Sequence, residues 1–149
     1  MLNAADIMTK EVITVKKDTS LADLARILYE NRINGAPVVD DEGALEGIIC
    51  ESDLIRKKKQ FHIPTVVAVF DVIISLERPK NIEKEIQRIS STIVEELYTK
   101  EVVTVNKNTP VDEIATIMTS KKIYTIPVMD GDHLVGIIGK ADLIRTILA

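Results

Sequence analysis

The chain contains two similar copies of one stretch of about fifty residues. The first copy runs from residue 8 to residue 56, and the second runs from residue 98 to residue 145. With one single-residue gap, about half of the aligned pairs are identical, far more than chance would produce. Neither copy buries enough surface to be stable alone, so both are expected to pack together around a pseudo-twofold axis. Any site between the copies should then exist in two versions.

Both copies begin with the same local patterns. A β-branched run opens each of them and predicts a strand, Val12–Val15 in the first copy and Val102–Val105 in the second. A stretch with apolar residues at i, i+3 and i+4 follows, which predicts a helix with one buried face. Thr19 and Thr109 stand where helix caps are expected, with Pro110 at the first helical position of the second copy.

A hairpin and a second helix complete each copy. In the first copy, Ala36–Val39 and Leu45–Ile49 are separated by a turn rich in Asp and Gly, and the second copy repeats this pattern with a loop one residue shorter. The last helix begins near Asp53 or Asp142. The predicted fold class is α/β (α+β): two pseudo-twofold related units of strand-helix-strand-strand-helix, each with a small three-stranded sheet.

The residues between the copies belong to neither. We expect a first repeat at 1–59, a mainly helical insertion at 60–92 and a second repeat at 93–149. Apolar residues at helical spacing between Val66 and Ile73 predict one helix, and a polar amphipathic pattern from about Asn81 to Ser90 predicts another. An apolar helix outside the duplicated core needs a surface to cover, either on its own domain or on a second copy in a homodimer.

Composition excludes several classes of protein. With 46% hydrophobic and 28% charged residues the chain is globular, and its net charge of −4 and 3% aromatic residues argue against a nucleic-acid binder. A single cysteine, Cys50, excludes an intrachain disulfide and a multi-cysteine metal site, and His62 and His133 lack a second ligand at metal spacing. The apolar stretch 63–76 is too short to cross a bilayer. We therefore expect a soluble, cytoplasmic protein without membrane contact.

Three pieces of sequence recur in the same order and spacing. They are MT-x-x-VITV, GAPVVD and GII-x-x-x-DLIR in the first copy, and YT-x-x-VVTV, TIPVMD and GII-x-x-x-DLIR in the second. Together they resemble the cystathionine-β-synthase (CBS) domain, here as a tandem pair of the kind often called a Bateman module. The resemblance covers essentially all of the chain except the central insertion. It implies a regulatory module rather than an enzyme, with no required cofactor or metal.

The resemblance also implies ligands and partners. CBS pairs commonly bind AMP, ADP, ATP or S-adenosylmethionine in two clefts between the repeats, often associate as disc-shaped homodimers, and regulate another protein. By family position, the first adenine slot would be lined by Val12, Ile13, Thr14, Gly35, Ala36 and Pro37. The second slot would be lined by Val102, Val103, Thr104, Thr125, Ile126 and Pro127.

The family's ribose-binding carboxylate falls on Asp53 and Asp142. An ionised carboxylate can accept both hydrogen bonds of a vicinal diol. Phosphates would lie near the start of the last helix, where free N–H groups and the helix dipole favour an anion. A plainer interpretation stays open, because a carboxylate at this position also stabilises a helix start without any ligand.

The chain departs from the family three residues before each of these carboxylates. Nucleotide-binding repeats usually carry Thr or Ser there, whereas this chain has Cys50 and Gly139, which offer no hydroxyl. Gly139 leaves its backbone N–H open and lets a ligand approach closely, while Cys50 adds bulk. The two sites are therefore expected to be unequal, with the second, at Gly139, the more favourable one.

Three functions follow from these patterns. The first is an adenosine-ligand sensor that signals to a partner protein, and the second is a ligand-free structural module for dimerisation with vestigial clefts. An enzyme is the third, and it is disfavoured because no catalytic triad, paired carboxylates or phosphate loop can be found. The basic run 56–59 is a solvated helix face in one interpretation and a contact for phosphates or anionic partners in the other.

Overall fold

The fold is described from a computed structural model, which places residues 1–56 and 92–148. The two helices predicted between Val66 and Ser90 lie outside these described residues. The same is true of Lys57–Lys59 in the basic run and of His62.

The first repeat contains three helices and a hairpin. Its elements are α1 (Ala4–Ile7), α2 (Leu21–Glu30), β1 (Gly35–Val39), β2 (Leu45–Cys50) and α3 (Glu51–Arg56). Strands β1 and β2 are antiparallel, and Val15 adds a single parallel bridge to Val38 of β1.

The second repeat has the same order with one more regular strand. Its elements are a 3₁₀ turn (Val94–Glu96), β3 (Val105–Asn106), α4 (Val111–Lys121), β4 (Thr125–Asp130), β5 (His133–Gly139) and α5 (Lys140–Leu148). Strand β3 is parallel to β4, and β4 is antiparallel to β5. The expected mixture of helices and small sheets in two similar units is confirmed.

The opening strand of each unit is much shorter than predicted. Instead of four residues, only Val15 pairs in the first repeat, and only Val105–Asn106 form a strand in the second. The first repeat therefore has a two-stranded sheet extended by one bridge rather than three full strands. The residues before each pairing position belong to no strand, and Ile13 and Val103 line clefts instead. The β-branched composition here favours extended backbone without requiring a ladder.

The helix faces agree with the sequence pattern, but the caps do not. Leu21, Leu24, Ala25 and Leu28 of α2 are buried, as their spacing predicts. The helix begins one residue later than expected, after Ser20, whose hydroxyl accepts the Asp23 N–H at 3.1 Å. In α4 the cap position falls on Pro110 without a side-chain bond. The predicted caps, Thr19 and Thr109, accept from the backbone N–H of Lys16 and Asn106 at 3.0 Å and close the preceding turn instead.

Each core is completed by a segment from the start of the other repeat. Ala4, on the N-terminal α1, is fully buried in the core of the second repeat, and its N–H donates to the Thr109 carbonyl at 2.8 Å. Conversely, Val94 and Leu97, at the start of the second repeat, are buried in the core of the first. The repeats are thus interlocked, although the boundaries predicted at 1–59 and 93–149 stay a prediction.

At the duplicated motifs MT and YT, the opening segment of each repeat pairs with a strand of the other repeat. This cross-pairing is called the crossing below. Thr9 forms a two-bond antiparallel bridge with Ile137 of β5, and Thr99 forms the same bridge with Ile48 of β2. Gly136 and Gly47, beside these bridges, make room for Met8 and Tyr98 because a Cβ on either glycine would collide with them. The repeated glycine before Ile-Ile therefore has a packing reason in both copies.

No helix in the described ranges, 1–56 and 92–148, has the length and apolar composition needed to cross a membrane.

Candidate functional site

Asp53 is a buried carboxylate at the third position of α3, with 3% of its surface exposed. Its Oδ2 accepts the backbone N–H of Cys50 at 2.7 Å, and its Oδ1 accepts the hydroxyl of Thr99 at 2.6 Å. The first bond stabilises the start of α3, as the capping interpretation requires. The second bond joins the first repeat to the segment that opens the second.

Asp142 repeats this arrangement at the start of α5, with 6% of its surface exposed. Its Oδ2 accepts the N–H of Gly139 at 2.8 Å, and its Oδ1 accepts the hydroxyl of Thr9 at 3.1 Å. Arg145, one turn along α5, also forms an ion pair with Oδ1. Each carboxylate is therefore bonded to its own helix start and to a threonine from the opposite repeat.

The Thr9 bond gives a direct test of this cross-repeat contact. Thr9→Val is expected to lower the free energy of unfolding by about 1.5 kcal/mol, the lower end for a hydrogen bond to a charged group, because Arg145 and Gly139 still bond Asp142. Urea unfolding followed by circular dichroism measures the change. Thr9→Ser is the matched control, since it keeps the hydroxyl. Equal losses in both variants would contradict a role for this hydrogen bond.

The larger cleft, here called the Asp142 cleft, has a volume of about 570 Å³. One wall comes from the first repeat and the other from the second. First-repeat residues that line it are Thr9, Glu11, Ile13, Asn31, Arg32, Ile33, Asn34 and Gly35. Second-repeat residues that line it are Tyr124, Thr125, Ile137, Gly139, Lys140, Ala141, Asp142, Ile144 and Arg145.

The smaller cleft, here called the Asp53 cleft, has a volume of about 380 Å³. From the first repeat it is lined by Asn34, Ile48, Cys50, Glu51, Ser52 and Asp53. From the second repeat and its opening segment it is lined by Thr99, Glu101, Val102, Val103, Lys122, Ile123, Tyr124, Thr125 and Lys140. Both volumes fall in the range of pockets that hold small organic ligands.

The clefts pair the predicted residues differently from the slots expected by family position. Ile13 and Gly35 of the first slot lie with Gly139 and Asp142 of the second repeat. Val102 and Val103 of the second slot lie with Cys50 and Asp53 of the first repeat. Thr125 lines both clefts. Each cleft thus takes its carboxylate from one repeat and its opening-strand residues from the other, because the chain crosses at Thr9 and Thr99.

Seven of the predicted lining residues do not line either cleft. Ala36 and Ile126 are fully buried in the two cores, and their neighbours Pro37 and Pro127 are buried as well. On a strand, successive side chains point to opposite faces, so a run of three adjacent residues cannot all face one cleft. The other residues outside the linings are Val12, Thr14 and Thr104.

The two departures from the family pattern have different surroundings. Cys50 is half-buried at the wall of the Asp53 cleft, and a Cβ placed on Gly35 would lie 2.6 Å from its sulfur. Gly139 is open: a Cβ there would have ordinary contacts, 3.7 Å from the Tyr124 carbonyl oxygen and 3.9 Å from an Asp142 oxygen. The Asp142 cleft therefore has spare room at this position.

Sequence reasoning missed several residues that the clefts contain. Thr9 and Thr99 could have been found, since both stand in the repeated MT and YT motifs and their hydroxyls are bonded to the two carboxylates. Arg32 and Lys140 carried no such signal, because neither matches an identical residue in the other copy.

Metal ligands are not gathered within residues 1–56 and 92–148, where no group of three or more His, Cys, Asp or Glu side chains is placed to hold an ion. His133 stands exposed at the start of β5.

Among known proteins, this chain has relatives of about its own length and relatives that are much longer. An uncharacterized protein of Methanocaldococcus jannaschii, MJ1426, is 28% identical over 153 residues, which cover 96% of this chain and 89% of the relative. L-aspartate semialdehyde sulfurtransferase of the same organism is 28% identical over 141 residues, which cover 94% of this chain. This chain spans only 22% of that enzyme's length, so the match concerns one part of a larger protein.

Solved structures share the whole fold. The CBS domain pair of protein MJ0100, solved in complex with 5′-methylthioadenosine and S-adenosyl-L-methionine, is 28% identical with a TM-score of 0.71. The match covers 99% of this chain and 96% of that one. The family model described as CBS domain matches residues 4–60 and again residues 94–149. The chain therefore belongs to the CBS-domain family and carries two CBS domains in tandem.

Proposed function

We propose that this chain is a regulatory module that binds an adenosine derivative between its repeats and signals to a partner protein. The candidate ligands are AMP, ADP, ATP and S-adenosylmethionine. One observation carries the proposal: each cleft joins a buried carboxylate at a helix start of one repeat to aliphatic residues of the other, as with Asp142 and Ile13. The related CBS pair of MJ0100 supports it, since both of its bound compounds contain adenosine.

The Asp142 cleft is the better candidate for the first ligand. It is the larger of the two, at about 570 Å³ against about 380 Å³, and Gly139 leaves room beside the carboxylate. Aliphatic side chains, including Ile13 and Ile137, offer flat apolar surface for a purine ring. Arg32 and Arg145 line the same cleft and supply positive charge for phosphates.

The present bonding of Asp142 defines how a ribose would bind. Three donors already contact its carboxylate, which has about four acceptor positions in all. A diol that donates two hydrogen bonds must therefore displace one of the present donors. Arg145 is the most accessible of them, with its side chain 65% exposed. A displaced guanidinium in the same cleft can then form a bidentate pair with a phosphate.

The same geometry suggests how a ligand changes the shape of the module. Thr9 of the first repeat bonds directly to Asp142 of the second, so an event at this carboxylate acts on the contact between the repeats. A ligand that prefers one arrangement of this contact shifts the population toward it by its difference in affinity. The proposal includes association as a homodimer and a cytoplasmic location, which follow from the resemblance and composition rather than from the contacts described.

The proposal is tested by calorimetric titration and by melting curves with AMP, ATP, S-adenosylmethionine and 5′-methylthioadenosine. A ligand present at one hundred times its dissociation constant should stabilise the folded protein by about 2.7 kcal/mol. Asp142→Asn should weaken binding in the Asp142 cleft by about tenfold to a hundredfold, because a neutral amide accepts the diol poorly yet still accepts the Gly139 N–H.

Asp132→Asn is the control, since it removes the same charge from an exposed turn. Unchanged melting curves with millimolar concentrations of all four compounds would overturn the proposal.

A ligand-free structural module is the second candidate function. It is favoured by the bonding of Asp53 and Asp142, whose carboxylates already stabilise helix starts and the contact between repeats. It is also favoured by the apolar end of α5, where Ile147 and Leu148 are 80% and 81% exposed. A concentration-dependent dimer in sedimentation velocity, together with unchanged melting curves, would support this alternative.

A further inference from the structure

The two clefts share one wall. Four of the described residues line both of them: Asn34, Tyr124, Thr125 and Lys140. Lys140 is the only charged residue of the four, and it is the first residue of α5. Its ammonium group lies 4.5 Å from the centroid of the Tyr124 ring, within the range of a cation–π contact. The aromatic ring therefore holds one positive charge at the boundary between the clefts.

Each cleft also has cations of its own. Arg32 and Arg145 line the Asp142 cleft but not the Asp53 cleft, and Lys122 lines only the Asp53 cleft. An anionic ligand can therefore find a positive charge in either cleft without Lys140. The shared ammonium is a compact point charge on a flexible stem, so it can turn toward one cleft or the other. It cannot make full contact with an anion in both at once.

We propose that the two clefts are coupled through Lys140, so that an anionic adenosine ligand in one weakens binding of the same ligand in the other. The inference rests on the proposed function, since it requires that both clefts bind. A ligand that draws the ammonium toward itself leaves the second cleft with a lower positive charge. Thermodynamic linkage makes the effect reciprocal.

The coupling is measured with AMP by isothermal titration of wild type and of two single-cleft variants. Asp53→Asn leaves the Asp142 cleft to be measured, and Asp142→Asn leaves the Asp53 cleft. For independent clefts, the product of the two single-cleft association constants equals the overall constant for filling both clefts of the wild type. We expect the wild-type constant to be at least about fivefold lower than this product, the lower end of typical coupling between sites.

In the Lys140→Gln background, with the same two single-cleft variants, the overall association constant is expected to equal the product of the two single-cleft constants. Lys122→Gln is the matched control: it weakens the Asp53 cleft but leaves the coupling as in wild type. Adenosine, which lacks the phosphate, should show no coupling in any background. Equality in the wild type, or a coupling that survives Lys140→Gln, would overturn the inference while leaving the proposed function intact. A protein that binds neither AMP nor any of the other three adenosine compounds would overturn both.

Discussion

Leu97→Ala is expected to lower the free energy of unfolding by about 2–5 kcal/mol, the range for removing a buried leucine side chain from a packed core. Leu97 lies at the start of the second repeat, yet it is 1% exposed and packs in the core of the first, with residues such as Leu24 and Val38. The cavity would lie in a core that combines first-repeat residues with Val94 of the second repeat. Because the two repeats share this core, we expect a single cooperative transition at a lower urea concentration.

Leu148→Ala is the matched control for this experiment. The same side chain is removed, but Leu148 is 81% exposed at the end of α5, so the change should stay within about 0.5 kcal/mol. Equal effects of the two substitutions would contradict the exchange of segments between the repeats.

Gly47→Ala is expected to lower the free energy of unfolding by about 3 kcal/mol, in the upper part of the range for an overpacked core. A Cβ at this buried position would lie 2.5 Å from the Thr99 carbonyl oxygen and would also collide with the Tyr98 ring. A flexible side chain could move aside at small cost, but this carbonyl cannot. It accepts the Ile48 N–H at 2.9 Å, and the Thr99 N–H donates back to Ile48 at 2.9 Å. Relieving the collision therefore disturbs both bonds of the crossing.

Gly139→Ala serves as the control, because it makes the same chemical change at the end of the neighbouring repeat's hairpin. The nearest atoms to its added Cβ are 3.7 Å away or farther, so we expect a loss of less than about 1 kcal/mol. Thermal and urea unfolding of the two variants give the comparison. A Gly47→Ala protein as stable as Gly139→Ala would show that the crossing segment is not packed against β2.

Local elements were predictable because their causes are local. The buried face of α2 follows from the spacing of Leu21, Leu24 and Leu28, and the hairpins follow from their turn residues. The opening strands were over-predicted for the same reason. A β-branched run such as Val12–Val15 favours extended backbone, but whether it pairs depends on the partner strand, which its own sequence does not specify.

The site was predicted in part. Asp53 and Asp142 were identified from their positions in the repeated motif, and the structure places both at cleft walls. The predicted grouping of the lining residues differs from the observed one, because the prediction assumed that each repeat builds its own slot. The crossing of the chain at Thr9 and Thr99 brings each carboxylate against the opening segment of the opposite repeat. Such a long-range exchange leaves no periodic signal in the sequence.

By itself, the sequence determined that this protein is a duplicated α/β unit of the CBS family with two related carboxylates. Repetition, periodicity and short motifs carry that information, since each depends on residues close together in the chain. Only the tertiary structure decided which segments of the chain complete which core, and how the two clefts share the wall at Lys140. The physical reason is that two similar units offer similar apolar surfaces. A segment could therefore pack against its own repeat or against the other one, and only tertiary packing decides between them.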